Sequence, residues 1–123
     1  MTAFEDLCRE WLLVKARAES LPMVPEIVGS HWATDAQVDV VGVNWHDKAI
    51  LLGECKWGVD ALARPVIHEL IDKTPKVVPG EGWQVFYAYF SRAGFTDAAR
   101  QEAQAVDALL VDLDTLDKEL SGA

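Results

Sequence analysis

Three polar residues in this sequence have the types that metal-assisted hydrolysis needs. Asp39 lies in a valine-rich stretch, and Glu54 and Lys56 lie at the end of an apolar stretch further along the chain. Because side chains alternate along a strand, Glu54 and Lys56 point to one face and Cys55 to the other. Two carboxylates and an ammonium on rigid strands suit a hard divalent cation and an activated water, which favours hydrolysis of phosphodiester bonds.

Packing alone does not explain this pattern. Ile50 and Leu52 share the Glu54 face, so an otherwise core-facing strand ends in a carboxylate and an ammonium, for which a core has no use. The structural alternative is a solvent-exposed salt bridge at a strand end, worth ~0–1 kcal/mol. A metal site differs from that salt bridge because it requires Asp39 to converge on the same point.

Length and composition set the frame for these residues. The chain has 123 residues, half of them apolar, which is enough for a single domain over residues 1–123 and too few for a second. Cys8 and Cys55 are expected to be free thiols in a cytoplasmic protein, because a bridge would join a helix face to a central strand. No apolar run reaches the ~20 residues of a membrane span, so no membrane association is expected.

The net charge of -9 argues against general nucleic-acid binding, which depends on lysines and arginines that displace counterions. The negative charge is unevenly placed. Residues 95–123 hold two basic and seven acidic residues, whereas residues 61–94 hold four basic and three acidic residues. Any DNA contact is therefore expected within residues 61–94.

Apolar periodicity predicts the order helix, three strands, helix, strand, helix, strand, helix. The fourth strand is apolar on both faces, which is typical of a strand parallel to its neighbour. The expected fold class is α/β, with three layers around a mixed central sheet. The predicted strands cover residues 26–32, 37–45, 49–57, 83–90 and 109–113, and the predicted helices cover residues 4–19, 62–74, 96–105 and 116–120.

Val38-Asp39 followed by Glu54-Cys55-Lys56 resembles the Asp…Glu-x-Lys signature of the restriction-endonuclease-like (PD-(D/E)xK) nucleases, whose core has this same order of elements. More narrowly, the sequence is similar to the C-terminal domain of archaeal-type AAA ATPases known as domain of unknown function 234. This resemblance covers most of the chain, and it implies the nuclease-like fold and an ATPase module upstream or in trans. The stretches that carry it are residues 37–41, 52–57, 90–96 and 110–113.

The chain departs from these patterns at three points. It contains no Gly-x-x-x-x-Gly-Lys-Ser/Thr loop, so no nucleotide site is expected within it. Val38 stands where the nuclease signature has proline. Residues 29–32 read Gly-Ser-His-Trp where Gly-Arg-Trp-Trp is expected, so a phosphate contact from that arginine is missing.

The resemblance implies a ligand set. Asp39, Glu54 and the backbone carbonyl of Cys55 would hold Mg²⁺ or Mn²⁺, and Lys56 would lower the pKa of the attacking water or stabilise the charge on the phosphoryl oxygens. Glu5 lies where related nucleases often carry another acidic residue, which makes it an additional candidate ligand. The alternative for Glu5 is a capping box with Thr2 at the start of the first helix.

Four basic residues are candidates for nucleic-acid binding: Arg64, His68, Lys73 and Arg92. Each has a structural alternative as a solvated side chain on a helix or loop. The resemblance also suggests a lysine near position 73, and Arg92 precedes a helix where an anion could bind the backbone. Trp45, in a predicted hairpin turn, is a candidate for a partner contact.

Two functions remain open at this point. The first is a metal-dependent DNA endonuclease, which the intact set of Asp39, Glu54 and Lys56 favours. The second is a catalytically silent domain that serves as a DNA-sensing or partner-docking appendage of an AAA ATPase, which the net charge and the missing arginine favour. A homodimer is expected if two sites cut two strands.

Overall fold

The computed structural model describes residues 3–32 and 36–121 as four helices and five strands, in the order predicted from the sequence. The predicted capping box at Thr2 lies outside these residues, as do Thr34 and Asp35, whose residue types predict a turn between the first two strands. The elements are α1 (Ala3–Arg17), β1 (Ile27–Trp32), β2 (Gln37–Asn44), β3 (Ala49–Lys56), α2 (Arg64–Val77), β4 (Gln84–Ser91), α3 (Asp97–Ala105), β5 (Leu109–Asp112) and α4 (Leu113–Ser121).

The five strands form one mixed sheet in the order β1-β2-β3-β4-β5. Strands β1, β2 and β3 are antiparallel neighbours, whereas β3, β4 and β5 are parallel. This confirms that β4 is parallel to its neighbours. Because it is central and parallel, Tyr89 and Phe90 at adjacent positions are both fully buried, each in a different core cluster.

The two core clusters give the three layers of the fold. One face of the sheet packs against residues of α2 and α3, such as Ile67 and Ala99. The other face packs against α1 and α4, through residues such as Leu12 and Leu116. The three-layer α/β architecture predicted from the sequence is therefore confirmed. No helix within the described ranges is long and apolar enough to cross a membrane.

Local chemistry explains where the helices begin and end. Thr96 caps α3 as predicted, since its hydroxyl accepts a hydrogen bond from the Ala99 N–H at 3.1 Å. Helix α4 begins three residues earlier than predicted, because the Asp112 carboxylate accepts from the Thr115 N–H at 2.8 Å. Leu62 lies outside α2 and pairs with Phe95 in an isolated bridge.

Strand β2 contains a bulge that the sequence did not predict. Gly29 of β1 is opposite Val41, but His31, two residues later, is opposite Val38. Two residues of β2, Asp39 and Val40, therefore lie opposite the single residue Ser30 of β1. Val38 and Val41 accordingly pack in the same core cluster, although an odd spacing would normally separate them. Asp39 is therefore one of the two residues that form the bulge.

Candidate active site

Asp39 and Glu54 meet where the β2–β3 ladder ends. The last paired residues are Val40 and Gly53, and Asp39 and Glu54 are the next residues along each strand. The Asp39 Oδ2 accepts a hydrogen bond from the Cys55 N–H at 3.0 Å. The carboxylate of Asp39 is thus fixed by the backbone of the Glu-x-Lys segment itself.

Arg9 of α1 also holds Asp39, and sequence reasoning missed it. Its Nη1 donates to the Asp39 backbone carbonyl at 3.0 Å, and its Nη2 pairs with Asp6 Oδ1 at 2.6 Å. The Arg9 side chain is only 14% exposed. The sequence contained a signal for this contact. Arg9 follows Cys8 and borders the apolar stripe of the amphipathic helix α1, which places its side chain close to the sheet.

Removing these donors gives a first prediction. Arg9→Met keeps most of the apolar stem but leaves the Asp39 carbonyl without its charged donor, which is expected to lower the free energy of unfolding by roughly 2 kcal/mol. Urea denaturation measures this change. Arg17→Met, at the exposed end of α1, is the matched control, and an equal effect of both variants would contradict the anchoring role of Arg9.

The environment of Glu54 favours its protonated form. Burial, followed by the negative charge of Asp39, raises the pKa of Glu54 from 4.5 to about 7, and a side-chain hydrogen bond with Asp39 adds to the shift. Lys73 and, to a smaller extent, Lys56 lower the pKa. Glu54 Oε2 is buried and accepts no hydrogen bond from any described residue. Two neighbouring carboxyls, one with a buried oxygen that lacks a hydrogen-bond partner among the described residues, fit a bound cation, which would favour the charged form of Glu54.

Two lysines lie near Glu54, and the one on α2 is the unexpected one. Lys73 Nζ lies 3.7 Å from Glu54 Oε2 and donates to the Gln37 backbone carbonyl at 2.9 Å. Lys56, at the end of β3, is exposed. The structure places the Lys73 ammonium near the Glu54 carboxylate. The nucleic-acid contact predicted for Lys73 from the sequence stays a prediction.

Cys55 faces the opposite side of the sheet, as strand alternation predicts. A hydrogen bond with the thiol of Cys8 on α1, together with burial, raises the pKa of the Cys55 thiol, and the charges of Asp39 and Glu5 act in the same direction. Both cysteines are free, as predicted. Half-buried Glu5 therefore approaches from the α1 side, near Cys55, whereas Lys73 approaches from α2.

The donor set for a cation consists of oxygen atoms. Within residues 3–32 and 36–121, no group of three or more His, Cys, Asp and Glu side chains could hold a metal ion. Asp39 and Glu54 would thus need the Cys55 carbonyl, which lies on the same strand edge as the Cys55 N–H, and water to complete a site. An all-oxygen set with several water positions is the kind that Mg²⁺ prefers.

The remaining basic candidates have contacts with residues other than the two carboxylates. Arg64 and His68 both contact Glu102 of α3, with Arg64 Nε 3.0 Å from Oε1 and His68 Nε2 3.3 Å from Oε2. Arg92 lies over the ring of Trp57 at 4.6 Å from its centroid. These contacts account for the positions of all three residues without nucleic acid, and their role in binding it stays a prediction.

The fold is similar to that of two solved structures, of which one is a repair endonuclease. A repair endonuclease from Pyrococcus abyssi matches with a TM-score of 0.62 and 14% identity, over 92% of this chain and 48% of that one. A protein of unknown function, AF1548, matches with a TM-score of 0.57 and 16% identity, over 89% of this chain and 64% of that one. The chain spans about half the length of the repair endonuclease. Its mixed sheet between two helical layers defines a restriction-endonuclease-like fold.

The family follows from the sequence match. Residues 1–65, more than half of the chain, match domain of unknown function 234, described as archaeal and bacterial proteins of unknown function. The chain belongs to this family, which confirms the resemblance seen in the sequence. No curated protein matches it. The matched residues include Asp39, Glu54 and Lys56 but not Lys73.

Proposed function

We propose that this domain is a metal-dependent DNA endonuclease that hydrolyses phosphodiester bonds. The observation that carries the proposal is the convergence of the Asp39 and Glu54 carboxyls at the ends of adjacent strands, where one buried Glu54 oxygen has no hydrogen-bond partner among the described residues. The restriction-endonuclease-like fold supports it, since strands that end in carboxylates are an established way to hold Mg²⁺ beside a phosphate.

Each residue of the site has a role in this proposal. Asp39 and Glu54, with the Cys55 carbonyl, would hold Mg²⁺ or Mn²⁺, and a bound cation would supply Lewis-acid polarisation of the phosphate. Asp39 is oriented for this task by the Cys55 N–H and by Arg9. Lys56 is exposed at the strand end, so its ammonium can approach the phosphoryl oxygens and stabilise the negative charge that grows on them.

Burial makes these charges effective. The Glu54 side chain is 15% exposed, and electrostatic interactions are stronger where water is excluded. The same burial opposes the ionised carboxylate, as the raised pKa of Glu54 shows. A divalent cation reverses that penalty, so metal binding and ionisation of Glu54 are coupled in this mechanism.

Cleavage assays test the proposal directly. Purified protein with Mg²⁺ or Mn²⁺ is incubated with supercoiled, linear and branched DNA, beside Asp39→Ala, Lys56→Ala and the control Lys118→Ala. Lys118 is exposed on α4 and pairs with Asp114. The wild type and the control are expected to cleave, whereas each site variant is expected to lose at least about a hundredfold in rate.

The outcomes separate the two functional classes. Cleavage that survives in both site variants would show that another nuclease is responsible. Absence of cleavage together with absence of a metal-induced rise in Tm would contradict the proposal and leave a silent DNA-sensing or partner-docking role. The proposal retains the other expectations from the sequence: DNA as substrate, an AAA-type ATPase module as partner, a homodimer, and a cytoplasmic location.

A further inference from the structure

Lys73 occupies a specific place in this site. Its side chain extends from α2 to the sheet face that bears Glu54, where the Nζ contacts the Gln37 carbonyl at the start of β2 and lies 3.7 Å from Glu54 at the end of β3. The ammonium therefore lies between the two strands whose carboxylates form the candidate metal site. Its side chain is 30% exposed, so one side of it still faces water.

This contact differs from an ordinary surface ion pair. Surface pairs join two solvated side chains and contribute little to stability. Here the carboxylate oxygen facing Lys73 is buried and accepts no hydrogen bond from the described residues, because 3.7 Å is too long for one. When Glu54 is ionised, Lys73 compensates its charge but leaves this buried oxygen without a hydrogen-bond partner among the described residues.

We propose that Lys73 is a built-in counter-ion of the metal site: it compensates Glu54 in the metal-free protein and moves away when a divalent cation binds. The proposal rests on the metal-dependent function above and adds a positioning residue to it. Its reason is electrostatic, because an ammonium and a divalent cation on the same carboxylate repel each other.

The flexible side chain of Lys73 provides the path for this movement. The lysine side chain has a flexible four-carbon stem. Its ammonium can therefore move into solvent at little energetic cost once a cation has bound Glu54. The displaced ammonium stays tethered beside the site, where a phosphate of bound DNA can take the place of Glu54 as its partner. Lys73 would then join metal binding to substrate binding, which differs from the direct nucleic-acid contact predicted from the sequence.

Calorimetric titration with Mn²⁺ alone, at pH 8.5, tests this role. Lys73→Met is expected to bind Mn²⁺ about tenfold more tightly than the wild type, because no resident ammonium has to be displaced. Lys73→Arg keeps the charge and is expected to bind Mn²⁺ like the wild type. Lys76→Met, which removes an exposed lysine on the same helix, is the matched control and is expected to bind Mn²⁺ like the wild type. Circular dichroism verifies that each variant is folded, and Lys73→Gln replaces Lys73→Met if that variant is not.

The possible results distinguish this inference from the proposed function. Unchanged or weaker Mn²⁺ binding by folded Lys73→Met or Lys73→Gln, while the wild type binds Mn²⁺ and Asp39→Ala does not, overturns the counter-ion role alone. Binding by Lys73→Met where the wild type shows none supports it. Absence of Mn²⁺ binding in the wild type and in every Lys73 variant overturns both this inference and the metal-dependent function.

Discussion

Glu54→Gln is expected to stabilise the metal-free protein at pH 8 by on the order of 2–3 kcal/mol while it abolishes metal binding. The folded protein holds a proton on Glu54 up to a pKa of about 7, whereas the unfolded chain releases it near 4.5. The stability that this group contributes is therefore full below about pH 4.5 and is lost as the pH rises through about 7. Glutamine keeps the shape but never ionises, so it avoids this loss.

The measurement is urea denaturation in EDTA at several pH values between 4.5 and 8. The informative quantity is the difference in unfolding free energy between Glu54→Gln and the wild type, because contributions from other groups cancel in it. This difference is expected to be small at pH 4.5 and to grow toward pH 8. Glu69→Gln, on the exposed side of α2, is the control. A difference that does not vary with pH would contradict the raised pKa of Glu54.

Asp39→Asn and Asp39→Ala are both expected to lose cleavage, but only Asp39→Ala is also expected to lose stability. Asparagine can still accept the hydrogen bond from the Cys55 N–H, so the fold should keep nearly its full stability while Mn²⁺ affinity falls by at least about a hundredfold. Alanine removes the acceptor as well. The Cys55 N–H then lacks its partner, which should cost about 1–3 kcal/mol of unfolding free energy in addition.

Two measurements on the same two variants separate charge from structure. Calorimetry with Mn²⁺ reports the loss of the ligand, and thermal denaturation reports the loss of the hydrogen bond. Equal stability of Asp39→Asn and Asp39→Ala would show that the hydrogen bond to Cys55 contributes nothing to the fold. If Asp39→Asn bound Mn²⁺ as tightly as the wild type, Asp39 would not be a ligand.

The order of elements could be predicted because each has a distinct local pattern. The helix capped by Thr96 and the largely apolar strand β4 are examples in which sequence neighbours determine the outcome. The approach of Asp39 to Glu54 was also expected, since both residues stand at the ends of strands in one hairpin. Local patterns fail where a terminus depends on a side chain of the preceding element, as with Asp112 and the early start of α4.

The supporting contacts of the site could not be predicted. The bulge at Asp39 depends on how β2 pairs with β1, which no pattern within residues 37–44 records. The positions of Arg9 and Lys73 depend on how α1 and α2 lie across the sheet, because long side chains reach several ångströms in many directions. The sequence identifies such residues as charged, but tertiary packing decides which oxygen each of them meets.

Under the proposed function, the parallel arrangement of β3, β4 and β5 would limit the DNA that this site can accommodate. The carboxyl ends of all three strands lie on the same side of the sheet. The acidic start of α4, with exposed Asp114, therefore lies on the same side as Glu54. Two strand spacings separate β3 from β5, roughly 10 Å, which is less than the width of a DNA duplex. A duplex laid across the strand ends would bring its phosphates against these carboxylates. The expected footprint is therefore short and extends from Glu54 over α2, away from α4.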